Sequence, residues 1–253
     1  MMRVRIIGSG TAVPVVDRGQ ASILLEGRKE VVLLDVGSGS LRGVVRAGID
    51  PREVDFILIS HLHIDHVAEL PVWLFAFRNP EFRREKDLVL GGGKNLEEHL
   101  KGLREVYGEL VVPPVEVRVI DLQREELSSL EFEVMSLPVS HTRESYGFRI
   151  RERETGLTAA YSGDTEECPA LVDLGRDTDL FIMECSFPDK SAGPGHLFPE
   201  AALRVARQSR PGKLILTHFY PGWDPREVLS RGKKELPDTE VLMAEDGMVV
   251  DLR

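Results

Sequence analysis

Apolar residues along this chain fall into runs of four to eight, bounded by Gly, Asp or Pro and separated by stretches with helical spacing. "VRIIG", "SILLE", "VVLLD", "DFILIS", "DLVLG", "VEVRVI", "EFEVMSL", "YGFRIRE", "TAAYSGD", "DLFIMEC", "KLILTHF" and "GMVVDL" predict strands. Several are almost continuously apolar, as strands covered on both faces are. "SLRGVVRAG", the segment from His66, "NLEEHLKGLREVYG", "CPALVDLG", "PEAALRVARQS" and "DPREVLSRGKKE" predict helices. Start signals accompany three of them: Asn95 ahead of an apolar-periodic segment, Pro199 at a first helical position, and Asp224-Pro225. No fixed-period repeat is present. Strands cluster first and then alternate with helices, which predicts an α/β fold with helices covering both faces of stacked sheets.

Composition narrows this picture. The 253 residues contain no Pro/Gly/Ser-rich or charge-run linker, so 1–253 reads as one domain. A chain 42% hydrophobic and 29% charged can bury a sizeable core, which excludes disorder. "LPVWLFAF" is too short to cross a bilayer, and "MMRVRIIGSG" lacks the apolar segment of a signal peptide, so a cytoplasmic protein is expected. Cys168 and Cys185 make no disulfide framework and no CxxC, and are expected as buried thiols. The net charge of −10 repels polyanions, so nucleic acid would need a local basic patch. The arginines of "FRNPEFRREKD" and "SRGKKE" are interleaved with acids and read as solvated faces.

Against that background "ISHLHIDHVAEL" stands out, because His61, His63, Asp65 and His66 take three of the seven histidines directly after an apolar run. Imidazole nitrogen and carboxylate oxygen together suit zinc, manganese or iron. At extended or turn spacing His61 and His63 can face one way while Asp65 and His66 face another, so one loop can serve two adjacent metals. Four residues cannot complete two coordination shells, and further donors are expected at later strand ends. His141 after "EFEVMSLPVS", Asp164 in "AAYSGDT" and His218 ending "KLILTHF" are such residues. Taken singly each reads as readily as a cap or turn residue, Asp164 as an N-cap in particular. Taken with the HxHxDH loop they read as ligands.

The ordered set "SHLHIDH", "SHT", "SGDT" and "THF" resembles the metallo-β-lactamase superfamily, over almost the whole chain. The resemblance implies a four-layer αββα sandwich with a one- or two-metal site at the sheet edges. "IIGSGTAVPVVDRGQASILLE" and "LLDVGSGSLRGVVRAGI" are similar to the ribonuclease Z branch and its metal-dependent phosphodiesterase relatives. On that pattern His61, His63 and His141 hold one metal, Asp65, His66 and His218 the other, and Asp164 bridges them. Two divalent ions are implied, zinc foremost, with manganese and iron served by the same donors. Cations about 3.5 to 4 Å apart lower the pKa of a shared water to near neutrality, so the nucleophile is a metal-bridging hydroxide. Asp65 doubles as the acceptor that orients this water.

A leaving alkoxide needs a proton, and "FIMECSFPDK" followed by "GHLFPEAA" offers the donor. Similar branches carry a Glu after an apolar strand and a His twelve or more residues later, here Glu184 and His196. A paired carboxylate raises the imidazole pKa toward working pH, which suits a general acid. The plainer readings are a strand-end salt bridge for Glu184 and a loop histidine against Phe198 for His196. His99, in an amphipathic helix among charges, reads as a solvent-facing bystander. Asp35, which ends the strand of "LLDVGSG", is expected to orient a histidine from behind the ligands. Gly37 and Gly39 read as a tight turn, with a phosphate cradle as the alternative.

Departures from the resemblance bear on substrate. Transfer-RNA processing members carry a protruding Gly- and Pro-rich arm between the ligands that correspond to His141 and Asp164; here "TRESYGFRIRERETGLTAAYSG" intervenes, which two strands and a turn consume. "DVGSGSLRG" and "THFYPGW" also depart from ribonuclease Z, while "ECSFPDK" and "GHLFPEAA" are similar to cyclic-nucleotide phosphodiesterases. The first reading is therefore a dinuclear phosphodiesterase for a small or cyclic phosphodiester. RNA stays open as the alternative partner, an arm-free ribonuclease Z, disfavoured by charge and the missing arm. A lactonase or thioesterase needs only the same chemistry. A non-hydrolytic, oxygen-handling metal module is a distant alternative: diiron members carry a glutamate where this chain has His63, and the chain is too short for an appended flavin domain. No membrane partner is expected. Dimers are frequent among relatives, so a homodimer through "PVWLFAF" stays open, although ordinary core is the simpler reading of that run.

Overall fold

The computed structural model describes residues 1–190 and 194–253. Among them, 14 strands form two seven-stranded mixed sheets. The first has the order β14 (Val249–Leu252), β1 (Met2–Gly8), β2 (Ser22–Glu26), β3 (Val31–Leu34), β4 (Phe56–Leu58), β5 (Leu88–Gly92), β6 (Val117–Asp121). The second runs β13 (Glu240–Met243), β12 (Lys213–Thr217), β11 (Leu180–Glu184), β10 (Thr158–Tyr161), β9 (Tyr146–Glu152), β8 (Phe132–Pro138), β7 (Leu127–Ser128).

Why the strands are apolar on both faces follows from where alternate residues go. In β2 and β3, Ile23, Leu25, Val32 and Leu34 point into a core shared with Phe148, Ile150, Tyr161, Ile182 and Ile215 of the other sheet. Their neighbours Leu24 and Leu33 turn outward, onto Val44 of α1 (Ser40–Arg46), Trp73 of α3 (Leu70–Ala76) and Leu96 of α4 (Asn95–Tyr107). On the second sheet Phe181, Met183, Leu214 and Leu216 face outward onto α5 (Pro169–Gly175), α6 (Pro199–Ser209) and α7 (Arg226–Glu235), through Leu171, Leu203 and Val228. Three apolar layers between four layers of structure make an αββα sandwich. Each fully buried Leu, Ile or Phe contributes roughly 1.5–3 kcal/mol of transfer free energy.

Several local expectations need correction. The helix expected from His66 begins at Ile64 as the short α2 (Ile64–Val67) and resumes as α3, which starts at Leu70 ahead of Pro71. Asn95 is the first residue of α4 rather than its cap, and α7 starts one residue after Pro225. Pro199 opens α6. β7 and β13 escaped the pattern, being short and partly exposed at sheet edges. Cys185 is buried, but Cys168 is only partly so. His99 is half-buried, not solvent-facing, and burial pulls its pKa down. In "PVWLFAF" Trp73 and Phe77 are core, while Val72 and Phe75 lie on the exposed side. No helix among the described residues is long and apolar enough to cross a membrane.

Parallel pairing aligns the functional ends. β3 and β4 are parallel, as are β10, β11 and β12, and β8 runs the same way as β10 because both are antiparallel to β9. The segments after β3, β4, β8, β10, β11 and β12 therefore emerge in register with their neighbours, the usual place for a site in sheets of this kind.

Candidate metal centre

Those segments carry the donors. Asp35 follows β3, His61 to His66 follow β4, His141 follows β8, Asp164 follows β10, Glu184 ends β11 and His218 follows β12. Two of these residues sit in left-handed backbone, Asp35 at φ 58° and His218 at φ 60°. That conformation costs an L-residue about 1–2 kcal/mol and persists where surrounding bonds over-determine it. Here Asp35 N–H donates to Leu58 O at 2.8 Å and His218 N–H to Ser9 O at 3.0 Å. Close approach also demands glycine. A Cβ on Gly37 would lie 2.3 Å from Asp65 O, and one on Gly163, at φ 59°, would lie 2.9 Å from Ser60 Cβ.

The donor atoms fall into overlapping groups, each within 4.8 Å: His61, His63, His141 and Asp164; Asp65, His66 and His218; and Asp164, His196 and His218. Asp164 Oδ2 is central, 3.3 Å from His66 Nε2, 3.5 Å from His218 Nε2, 3.8 Å from His61 Nε2 and 3.9 Å from His141 Nε2. Asp65 Oδ2 lies 3.4 Å from His218 Nε2. Asp164 caps no helix; the cap position of α5 is Cys168.

The opposite ring edges decide which nitrogens are bare. His66 Nδ1 lies 2.8 Å from Asp35 Oδ2, an acceptor, so Nδ1 carries a proton and, in the neutral ring that a metal requires, Nε2 is left with a lone pair. His141 Nδ1 donates to Gly195 O at 2.7 Å with the same result. His61 Nδ1 meets Ser60 Oγ at 3.0 Å and His218 Nδ1 meets Ser186 Oγ at 3.0 Å. Lone pairs turned toward one another are unfavourable without a cation: His141 Nε2 is 3.0 Å from His63 Nδ1, and His66 Nε2 is 3.4 Å from His218 Nε2. His61 Nε2 is buried with no hydrogen-bond partner among the described residues. Such an orphan is costly in an apolar interior and is what a ligand to an ion looks like before the ion is counted. The set fits two divalent ions of the zinc, manganese or iron type.

Without an ion, the cluster balances its buried carboxylates by charging some of its imidazoles and leaving others neutral. Burial and the neighbouring His66 push His61 down to about 2. Burial acts to raise Asp65, but the hydrogen bond from His218 and the charge of His66 override it and leave the carboxyl at about 2. Asp164 is likewise held well below the carboxylate range against its burial by His218 and His66. Burial opposes charge on His66, yet Asp164 and Asp35 hold its pKa well above the ordinary value.

Glu184 and His196 meet at the rim, with His196 Nδ1 3.0 Å from Glu184 Oε1. Burial lowers the imidazole pKa, and the hydrogen bond and charge of Glu184 raise it by more. The carboxylate is fixed on all sides: Oε1 accepts Thr165 N–H at 2.5 Å, while Oε2 accepts Ser186 Oγ–H at 2.6 Å and Leu197 N–H at 3.0 Å. Reasoning from sequence overlooked Ser60, Ser186, Tyr161 and Asp246. Tyr161 Oη donates to Asp35 Oδ2 at 2.8 Å, and Asp246 Oδ1 accepts both Ser9 N–H and Ser9 Oγ–H, at 2.9 and 2.8 Å, behind His218. Ser60 and Ser186 adjoin ligand motifs, a signal that was available; Tyr161 and Asp246 offered none. His99 lies on α4, outside all these groups. A separate cavity of about 540 Å³, lined in part by Arg5, Arg18, Arg42 and Arg46, includes none of the seven candidate ligands.

Residues 32–219 match the β-lactamase superfamily domain. The chain is similar to ribonuclease Z of Methanothermobacter thermautotrophicus, 27% identical over 309 aligned positions that cover 100% of this chain and 97% of that protein. It is also similar to the solved structure of the metallo-β-lactamase fold protein YhfI from Bacillus subtilis, with a TM-score of 0.84, 24% identity and 98% of each chain covered. Human tRNase Z, short form, matches with a TM-score of 0.78, 26% identity and 99% of each chain covered.

Proposed function

We propose that this chain, which belongs to the β-lactamase superfamily and is a metal-dependent hydrolase, cleaves a small or cyclic phosphodiester. The observation that carries this reading is the convergence of bare imidazole nitrogens on Asp164, with the Glu184–His196 pair at the rim. On this reading His61, His63 and His141 would hold one ion and Asp65, His66 and His218 the other, with Asp164 available to both. Two such ions, zinc foremost, supply Lewis acidity and a water nucleophile usable at neutral pH. Asp65, whose carboxylate stays ionised, would accept a hydrogen bond from a water held there and orient it. His196, with Nδ1 turned to Glu184, directs Nε2–H outward to protonate the leaving oxygen. Asp35 and Ser186 hold His66 and His218 in the tautomer that binds metal.

Substrate size is argued from the hairpin. Between His141 and Asp164 the chain forms only β9 and β10, paired antiparallel with a short turn, so an arm has no room there. The 309-position alignment against a 253-residue chain is consistent with segments of the ribonuclease Z relative that are missing here. A second reading, an arm-free ribonuclease Z, is favoured by the names of these relatives and by the cavity whose lining includes Arg18, Arg42 and Arg46 beside Asp246, a candidate for the local basic patch RNA would need.

The test is hydrolysis of bis(p-nitrophenyl) phosphate by metal-quantified protein, with zinc and manganese supplied separately and Asp164→Ala as control. Activity that tracks two bound ions and vanishes in the variant supports the proposal. A metal-loaded protein inert to this ester turns attention to lactones and thioesters. Inhibition by bulk RNA that salt relieves favours the second reading.

A further inference from the structure

Two aromatic rings stand at the rim of the ligand cluster without any part in holding it. Phe187 follows Ser186, and Tyr220 lies two residues after His218. Their rings stack at 4.6 Å between centroids and 18° between planes. Phe187 meets the His196 ring edge-on at 5.5 Å, and Tyr220 lies 6.0 Å from both His196 and His218. Both rings keep solvent-reached surface, whereas the adjacent Phe219 is buried. The support beneath is fixed, since Trp223 Nε1–H donates to Ser186 O at 3.1 Å and Tyr220 N–H to the same oxygen at 3.1 Å. Tyr220 Oη has no hydrogen-bond partner among the described residues.

His196 and His218 are oriented by Glu184 and Ser186, so the rings are not needed to place them. Because the two rings cover each other's inner faces, it is the partly exposed outer face of the stacked pair, beside a phosphate-handling site, that is suited to stacking a flat substituent of the substrate. A free phenol at its edge adds a hydrogen-bonding group that a heteroaromatic ring can use and a purely apolar group cannot. We propose that Phe187 and Tyr220 form a platform for a nucleobase one sugar away from the scissile phosphate, so that the favoured phosphodiester is a nucleotide. This inference rests on the phosphodiesterase reading above.

Calorimetric binding to the zinc-loaded protein tests it, with adenosine 5′-monophosphate and ribose 5-phosphate as probes and metal content measured for every variant. The platform predicts that the parent binds the nucleotide about tenfold or more tighter than the sugar phosphate. Phe187→Leu and Tyr220→Leu should erase most of that ratio, and Tyr220→Phe, which keeps a ring, should retain most of it. In parallel, the Leu variants should raise KM for 3′,5′-cyclic AMP with kcat little changed. Equal affinities in the parent, or a ratio that survives both Leu variants, overturn the platform whatever hydrolysis shows. A ratio that behaves as predicted in a protein that cleaves neither cyclic AMP nor bis(p-nitrophenyl) phosphate supports the platform and overturns the phosphodiesterase reading instead.

Discussion

Replacing Asp35 by Asn isolates one charge behind the metal centre. Four donors end on this carboxylate: Ser60 N–H on Oδ1 at 2.7 Å, and Ser60 Oγ–H, His66 Nδ1–H and Tyr161 Oη–H on Oδ2, each at 2.8 Å. An amide has one oxygen. If it faces the three donors, its NH2 opposes Ser60 N–H, and a buried N–H without an acceptor costs about 1–3 kcal/mol. The alternative flip strands more donors. Asn also tolerates the left-handed backbone at φ 58°, where Ala would add strain, so the substitution changes charge and hydrogen bonding without a backbone penalty. The remaining oxygen is a weaker acceptor than a carboxylate, which loosens His66 and lowers its basicity toward metal. Loss of such a partner typically lowers metal affinity 10- to 100-fold, about 1.4–2.8 kcal/mol. Chelator competition reads the affinity, and urea unfolding of the metal-free protein reads the stability, which should fall by about 1–3 kcal/mol. An Asp35→Asn protein that binds both ions with parental affinity would refute the assignment of Asp35 as the group that orients His66.

Asp164→Ala should lose one or both ions on gel filtration with metal analysis, because four imidazoles converge on that carboxylate; retention of both at parental affinity sinks its shared role. His196→Ala should lower turnover by roughly 10² or more with metal content intact, as removal of a general acid does, and loss of metal instead would make His196 a ligand. Glu152 caps the β9–β10 turn through Glu154 N–H and Thr155 N–H, at 2.9 and 2.8 Å; burial raises its pKa, but the Thr155 and backbone bonds lower it by more. A depressed folded pKa gives stability that is complete above the unfolded value and is lost as pH falls through the folded one. Glu152→Gln should therefore flatten the loss of stability with acid below about pH 4.3, and an unchanged slope in urea titrations at successive pH values would count against the cap.

What could be read from sequence tracks how local the cause is. Nearly continuous apolar runs such as "SILLE" and "DLFIMEC" announced strands because both faces pack, whereas Leu127–Ser128 is too short for any period and Glu240–Met243 is a four-residue edge strand that opens on an exposed glutamate. The donor residues were legible because histidine and aspartate at strand ends are unusual and motif spacing linked them. Of their supports, Asp35 was legible at the end of its strand, whereas the distant ones were not. Tyr161 reaches Asp35 across 126 positions and Asp246 reaches Ser9 across 237, and no local pattern distinguishes either from an ordinary strand tyrosine or loop aspartate.

The same locality explains why chemistry is easier to infer than substrate. Hydrolysis depends on donors fixed to strand ends, and strand ends are fixed by pairing. Selectivity depends on groups carried by the connections: the β9–β10 turn, the segment with Phe187 after β11, and the segment with Tyr220 after β12. Connections can vary without disturbing the pairing that holds the donors. A compact hairpin removes a surface that a long polyanion would need, and the stacked rings add a surface that a single base can use. On the proposed reading both features act in one direction, toward a small ligand at the rim of the donor cluster. The arginine-lined cavity acts in the other direction, as does the similarity to ribonuclease Z, and salt dependence of binding separates the two, because a few phosphate contacts on a patch respond to salt far more steeply than stacking does.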